Sequence, residues 1–145
     1  METAHLIGGV AVLATNLVAG VWGAVAWLRQ EPSVAFWGLL RIAQAAVVGQ
    51  VLLGAILVLL GRESPDGLHY VYGLLPLAVA LLAEAIRAGA AERELEGLDF
   101  DSLPRERQRL IALAIVRRET GIMAASALLV LFLALRAAGT SGGLL

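Results

Sequence analysis

The sequence predicts an all-α, integral membrane four-helix bundle, and three observations carry that prediction. Of the 145 residues 59% are hydrophobic, and the mean hydropathy is +0.82. That is more apolar surface than a soluble core of this size can hide. Four apolar runs approach or exceed the ~20 residues a helix needs to cross a bilayer. Between them lie charges and the turn formers Pro, Gly, Asp and Ser.

The first span covers about residues 5–28, interrupted only by Thr15 and Asn16 after His5. No arginine precedes it, and it stays apolar past signal-peptide length, so it reads as a retained helix. The turn Arg29-Gln30-Glu31-Pro32-Ser33 leads to a second span over 34–61, with Arg41, Gln44 and Gln50 as its polar positions. A polar segment with Arg62, Glu63, Pro65 and Asp66 precedes the third span, 68–87. The connection 88–109 carries Glu92, Glu94, Glu96, Asp99 and Asp101, too many charges to enter hydrocarbon. The fourth span is 110–137, with Arg117, Arg118 and Glu119 at its inner interface and residues 104–116 continuing the helix outside the core. Residues 139–145 read as a flexible tail, rich in glycine, and one domain accounts for the whole chain.

Two short connections imply antiparallel neighbours, hence an up-down-up-down bundle with the first and third helices diagonal. Nine of the eleven arginines lie on the side of the first and third connections, and only Arg62 and Arg136 flank the other. The positive-inside rule then puts both termini outside and the 88–109 connection in the cytoplasm. Asn16, near mid-membrane, is expected to find an interhelical hydrogen bond, and Gln50 likewise. Trp22, Trp27, Trp37, Phe36, Tyr70 and Tyr72 fall near the expected interfaces, where aromatic rings anchor helices.

Composition also excludes. A net charge of -1 with no basic patch argues against nucleic-acid binding. The absence of cysteine removes disulfides, zinc-thiolate sites, iron-sulfur clusters and thiol catalysis. No nucleophile-base pair, phosphate-binding glycine loop or metalloprotease motif is present, so an enzyme is disfavoured against an electron carrier or accessory subunit.

The candidate constellation is a pair of imidazoles. His5 opens the first helix and His69 the third; these helices run the same way, so both rings are expected at one depth near the outer surface. Gly9 shares the face of His5, and Gly73, with Tyr72, that of His69, each glycine one turn deeper. A glycine there leaves room for a flat ring, although direct helix packing explains small residues equally well. Two neutral imidazoles facing one iron, each with its other nitrogen hydrogen-bonded, would serve as axial ligands of haem. The bland alternative is that both are interfacial histidines at helix ends, and a weak metal or proton-relay role is a third. Glu63 or Asp66 would only partly complete a bare-ion site, which wants three or four protein ligands.

A second group, the inner polar cluster, comprises Arg41, Gln44, Glu84, Arg87, Arg118 and Glu119, with Arg117 beside it. It reads as a charge network that lowers the cost of ions at membrane depth, or as a pocket for a quinone head group or anionic ligand.

With its four spans and the motifs His5-x-x-x-Gly9 and His69-x-x-x-Gly73, the chain resembles the four-helix membrane cytochromes of b type, including the half-bundles of haem A synthase. The resemblance implies a single low-spin haem b near the outer surface, held by His5 and His69, in a membrane electron-transfer protein. It lacks a second histidine pair and the catalytic carboxylate of a haem A synthase, so that activity is not implied. The competing reading is a cofactor-free accessory or scaffold subunit of a larger membrane complex, docking through 88–109. A redox partner or a homo-oligomer is compatible with either reading. A transporter is disfavoured, since Asn16 and Gln50 are the main polar residues through the mid-section and no inverted repeat is visible.

Overall fold

The computed structural model describes residues 2–62, 64 and 66–140, and its regular structure is helical throughout. The order is α1 (Glu2–Arg29), α2 (Val34–Leu59), α3 (Leu68–Leu95), a 3-10 turn (Phe100–Ser102) and α4 (Arg105–Gly139). All four α-helices are long and apolar enough to cross a membrane.

The helix ends follow local chemistry. At the end of α1, Gln30 takes a left-handed φ of 57°, its N–H donates to the Trp27 carbonyl and that of Glu31 to the Ala26 carbonyl. This pair of reversed bonds is a Schellman cap, and Pro32 prevents continuation. The end of α2 repeats it with Gly61 at φ 73°, Gly61 N–H donating to Val58 and Arg62 N–H to Leu57. Ser33 starts α2 as its N-cap, its hydroxyl accepting from the Phe36 N–H and from the Trp22 indole at 3.0 Å.

Consecutive helices are antiparallel. His5 and Gln50 meet at one end of the α1–α2 pair, and Gly23 and Phe36 near the other. In the α3–α4 pair His69 meets Ala137, and Arg87 meets Glu119. The helices therefore surround a core in the order α1, α2, α3, α4, with α1 against α4 and α3 against α4 as the closest seams and α2 against α3 the loosest.

Small residues set the tight approaches. A Cβ on Gly20 would lie 2.6 Å from Leu128, one on Gly121 2.7 Å from the Trp27 indole nitrogen, and one on Gly23 would run into the Phe36 ring and Ala124. Without a hydrophobic force between helices in lipid, such backbone proximity supplies the packing. Phe36, Leu40, Ala43, Met123 and Ala124 fill the half of the core nearer the α1–α2 turn, and Val12, Val47 and Val130 the half nearer the start of the chain. Phe36 is fully buried rather than interfacial, because Gly23 opens a slot for its ring. Asn16 is buried too, but its amide donates to the Val12 carbonyl of its own helix at 2.9 Å, not across helices.

Two boundaries differ from the sequence reading. The third helix continues past Arg87 to Leu95; the fourth begins at Arg105, in keeping with the expected continuation over 104–116, so residues 96–104 connect the two. Apart from Gly89, residues Ala88 to Glu94 are strong helix formers, and the charges among them keep the segment out of hydrocarbon without breaking the helix. Trp27 lies beside Gly121, so α4 before that point runs past the end of α1 by ~20 Å at 1.5 Å per residue. The last turn of α4 reaches Gly139 with Thr140 as its cap, which shortens the expected tail; positions 141–145, like Glu63 and Pro65, lie outside the described residues.

Candidate functional site

At the end of the bundle where the chain begins, all four helices contribute to one cluster. The imidazoles of His5 and His69 face each other with ring centres 6.0 Å apart and planes at 63°. They come from diagonal helices, so the pair spans the interior rather than a single seam. His69 Nδ1 lies 3.0 Å from the Ala137 carbonyl of α4. A carbonyl only accepts, so Nδ1 carries the proton and Nε2 keeps a free lone pair. His5 is held from α2: the Gln50 amide nitrogen donates to the His5 backbone carbonyl at 3.0 Å and lies 3.3 Å from its Nε2.

Two polar atoms here are buried without a partner among the described residues, His5 Nδ1 and Gln50 Oε1. Orphaned polar atoms at a helix interface are costly, which marks the cluster as something other than ordinary packing.

Two glycines shape the cluster, and neither was in the sequence-level motif. A Cβ on Gly54 would sit 3.3 Å from His5 Cε1, and one on Gly8 would collide with the Gln50 amide. The motif glycines behave differently from each other. The side of Gly9 is taken by Gln50, 3.5 Å from where a Cβ would be, whereas a Cβ on Gly73 would meet nothing within 4 Å. Tyr72 is turned from the histidines to Arg136, whose guanidinium lies 5.6 Å from its ring centre. Tyr70 lies beside His69, with its ring centre 6.2 Å from that of His69 and its hydroxyl accepting from the Ser64 N–H.

At the opposite end a charge network closes the α2–α3 seam. Arg41 Nη1 pairs with Glu84 and donates to Gln44 Oε1 at 2.6 Å, while Gln44 donates to Glu84 at 2.9 Å. Arg87 donates to Glu84 at 2.8 Å, reaches Glu119 at 3.5 Å and lies 5.6 Å from the Trp37 ring centre. Arg118 is not part of it. That side chain pairs with Glu94 at 2.9 Å, because the extension of α3 to Leu95 brings Glu94 alongside it. Arg117 instead lies 5.9 Å from the Trp27 ring centre.

No family model, curated protein or solved structure matches this chain.

The chemistry open to the histidine cluster follows from its donors. Among the described residues no group of three or more His, Asp or Glu gathers to hold a bare metal ion. Two facing imidazoles suit a metal whose other positions are already filled, as in a porphyrin with two axial sites open. With ring centres 6.0 Å apart, His5 and His69 are the residues that would hold such a group, one imidazole from each side. The His69 tautomer fits that group. The Gln50 amide nitrogen, 3.3 Å from His5 Nε2, would have to give up that contact while keeping its hydrogen bond to the His5 carbonyl.

Proposed function

We propose that this chain is a membrane electron-transfer protein that holds one haem b between His5 and His69. The observation that carries the proposal is the approach of two imidazoles, from diagonal helices, to ring centres 6.0 Å apart. Haem would supply reversible one-electron chemistry. The chain's own groups do the rest: Ala137 fixes the His69 tautomer, Gly54 seats the His5 ring, and Gln50 holds the α1 backbone at the level of the pair.

The arginine distribution supports a membrane orientation with both termini and the histidine cluster outside, and residues 96–104 in the cytoplasm. The accessory-subunit reading draws support from the α3–α4 projection, where Leu110 is 62% and Leu113 38% exposed on one helical face.

The test is an absorption spectrum of protein expressed with ample haem. The reading expects a b-type Soret band lost in both His5→Ala and His69→Ala. A colourless wild-type protein, or a band that survives both substitutions, removes it.

A further inference from the structure

The inner charge network is only partly covered. The Arg41 side chain is 55% exposed and those of Glu84 and Arg87 26% each, along the loosest seam of the bundle. Arg41 follows Val34, the first residue of α2, by seven positions, so its backbone lies ~10 Å into the helix. Exposed charge at that depth calls for a polar companion, since hydrocarbon offers none.

We infer that the α2–α3 seam at Arg41 binds the head group of a lipid-soluble quinone. Three features select that class. First, Arg41 uses Nη1 for Gln44 and Glu84, and its Nε and Nη2 donate to no described residue, which leaves donors for a carbonyl oxygen. Second, the cluster is electrically balanced, Arg41 and Arg87 against Glu84 and Glu119, so it offers no net charge to draw a phosphate into the span. A neutral carbonyl needs none. Third, one turn further along both helices the side shared with Arg41 and Glu84 turns apolar, with Ala45 and Val48 on α2 and Ala80 and Leu81 on α3, of which Val48 is 43% and Leu81 64% exposed. An apolar tail can lie there while Trp37, against Arg87, borders the head.

The inference goes beyond the histidine reading and does not depend on it, so its test uses protein without haem. Detergent-solubilised protein is titrated with a short-tailed benzoquinone while tryptophan emission is read. Saturable quenching is expected, weakened at least fivefold in Arg41→Lys, which keeps the ion pair but removes the spare fork of donors. The saturable component should vanish in Trp37→Phe and be unchanged in Arg118→Gln, with helicity by circular dichroism equal in all four proteins. Linear quenching alone, or saturable quenching that Arg41→Lys leaves intact, overturns the inference. So does full displacement by short-chain phosphatidylglycerol, which would make the seam a phosphate site.

Discussion

Gly23 and Gly38 sit on neighbouring helices and differ in what a Cβ would meet. At Gly23 it would enter the Phe36 ring and lie 2.8 Å from Ala124, while at Gly38 nothing lies within 4 Å. Gly23→Ala should therefore cost about 1–3 kcal/mol through overpacking of a fully buried ring. Gly38→Ala should gain up to about 1 kcal/mol from helix propensity alone. Thermal unfolding in one detergent checks both, and equal shifts would deny that α1, α2 and α4 meet at Gly23. The same contrast explains how much of the candidate site was legible. His5 and His69 could be paired from the sequence because helices of equal parity run alike and place their first turns at one depth. Gly9 and Gly73 were chosen by helical phase, which names the face a residue lies on but not the side chain that covers it. Gln50 takes the space beside Gly9, and the glycine that seats the His5 ring, Gly54, lies on a helix the motif never touched. Arg118 was misassigned for a related reason, since its partner Glu94 was expected in a loop.

At the scale of the element, the spans were legible because hydrocarbon imposes a length on apolar runs, while the ends of the helices obeyed a different rule. A charge marks where the bilayer stops; only a cap or a proline marks where the helix stops. This is why α3 runs eight residues beyond Arg87, from 87 to 95, before it ends. The caps themselves make a paired prediction. α1 and α2 end in the same reversed hydrogen bonds, but the left-handed residue is Gln30 in one and Gly61 in the other. A side chain at such a position costs about 1 kcal/mol relative to glycine. Gln30→Gly should thus stabilise the protein by about that amount and Gly61→Gln destabilise it similarly. Denaturant midpoints in mixed micelles that move the same way for both would show that one of the two caps does not form.

For the whole molecule, the decisive feature is asymmetry between the two ends. At one end α1, α3 and α4 finish within a turn of the His5 and His69 level while α2 runs on from Gly54 to Leu59; at the other, α3 and α4 continue together past the α1–α2 turn, clasped by Arg118 and Glu94. Nine arginines lie toward the projecting end. If that end is cytoplasmic, the histidine pair faces outward and the Arg41 seam, proposed to bind quinone, inward, and the two lie on opposite sides of the span. The chain has no cysteine, so single introduced thiols report sidedness without background. Ser102, exposed in the turn between α3 and α4, and Thr3, exposed at the start of α1, are the positions to use. With a membrane-impermeant maleimide, Thr3→Cys should label in intact cells and Ser102→Cys only in inverted vesicles. The reverse pattern would turn the molecule over and place the histidines inside. Labelling of both from one side would remove the four-span topology altogether, because an even number of crossings has to lie between the chain's two ends and an odd number between these two thiols.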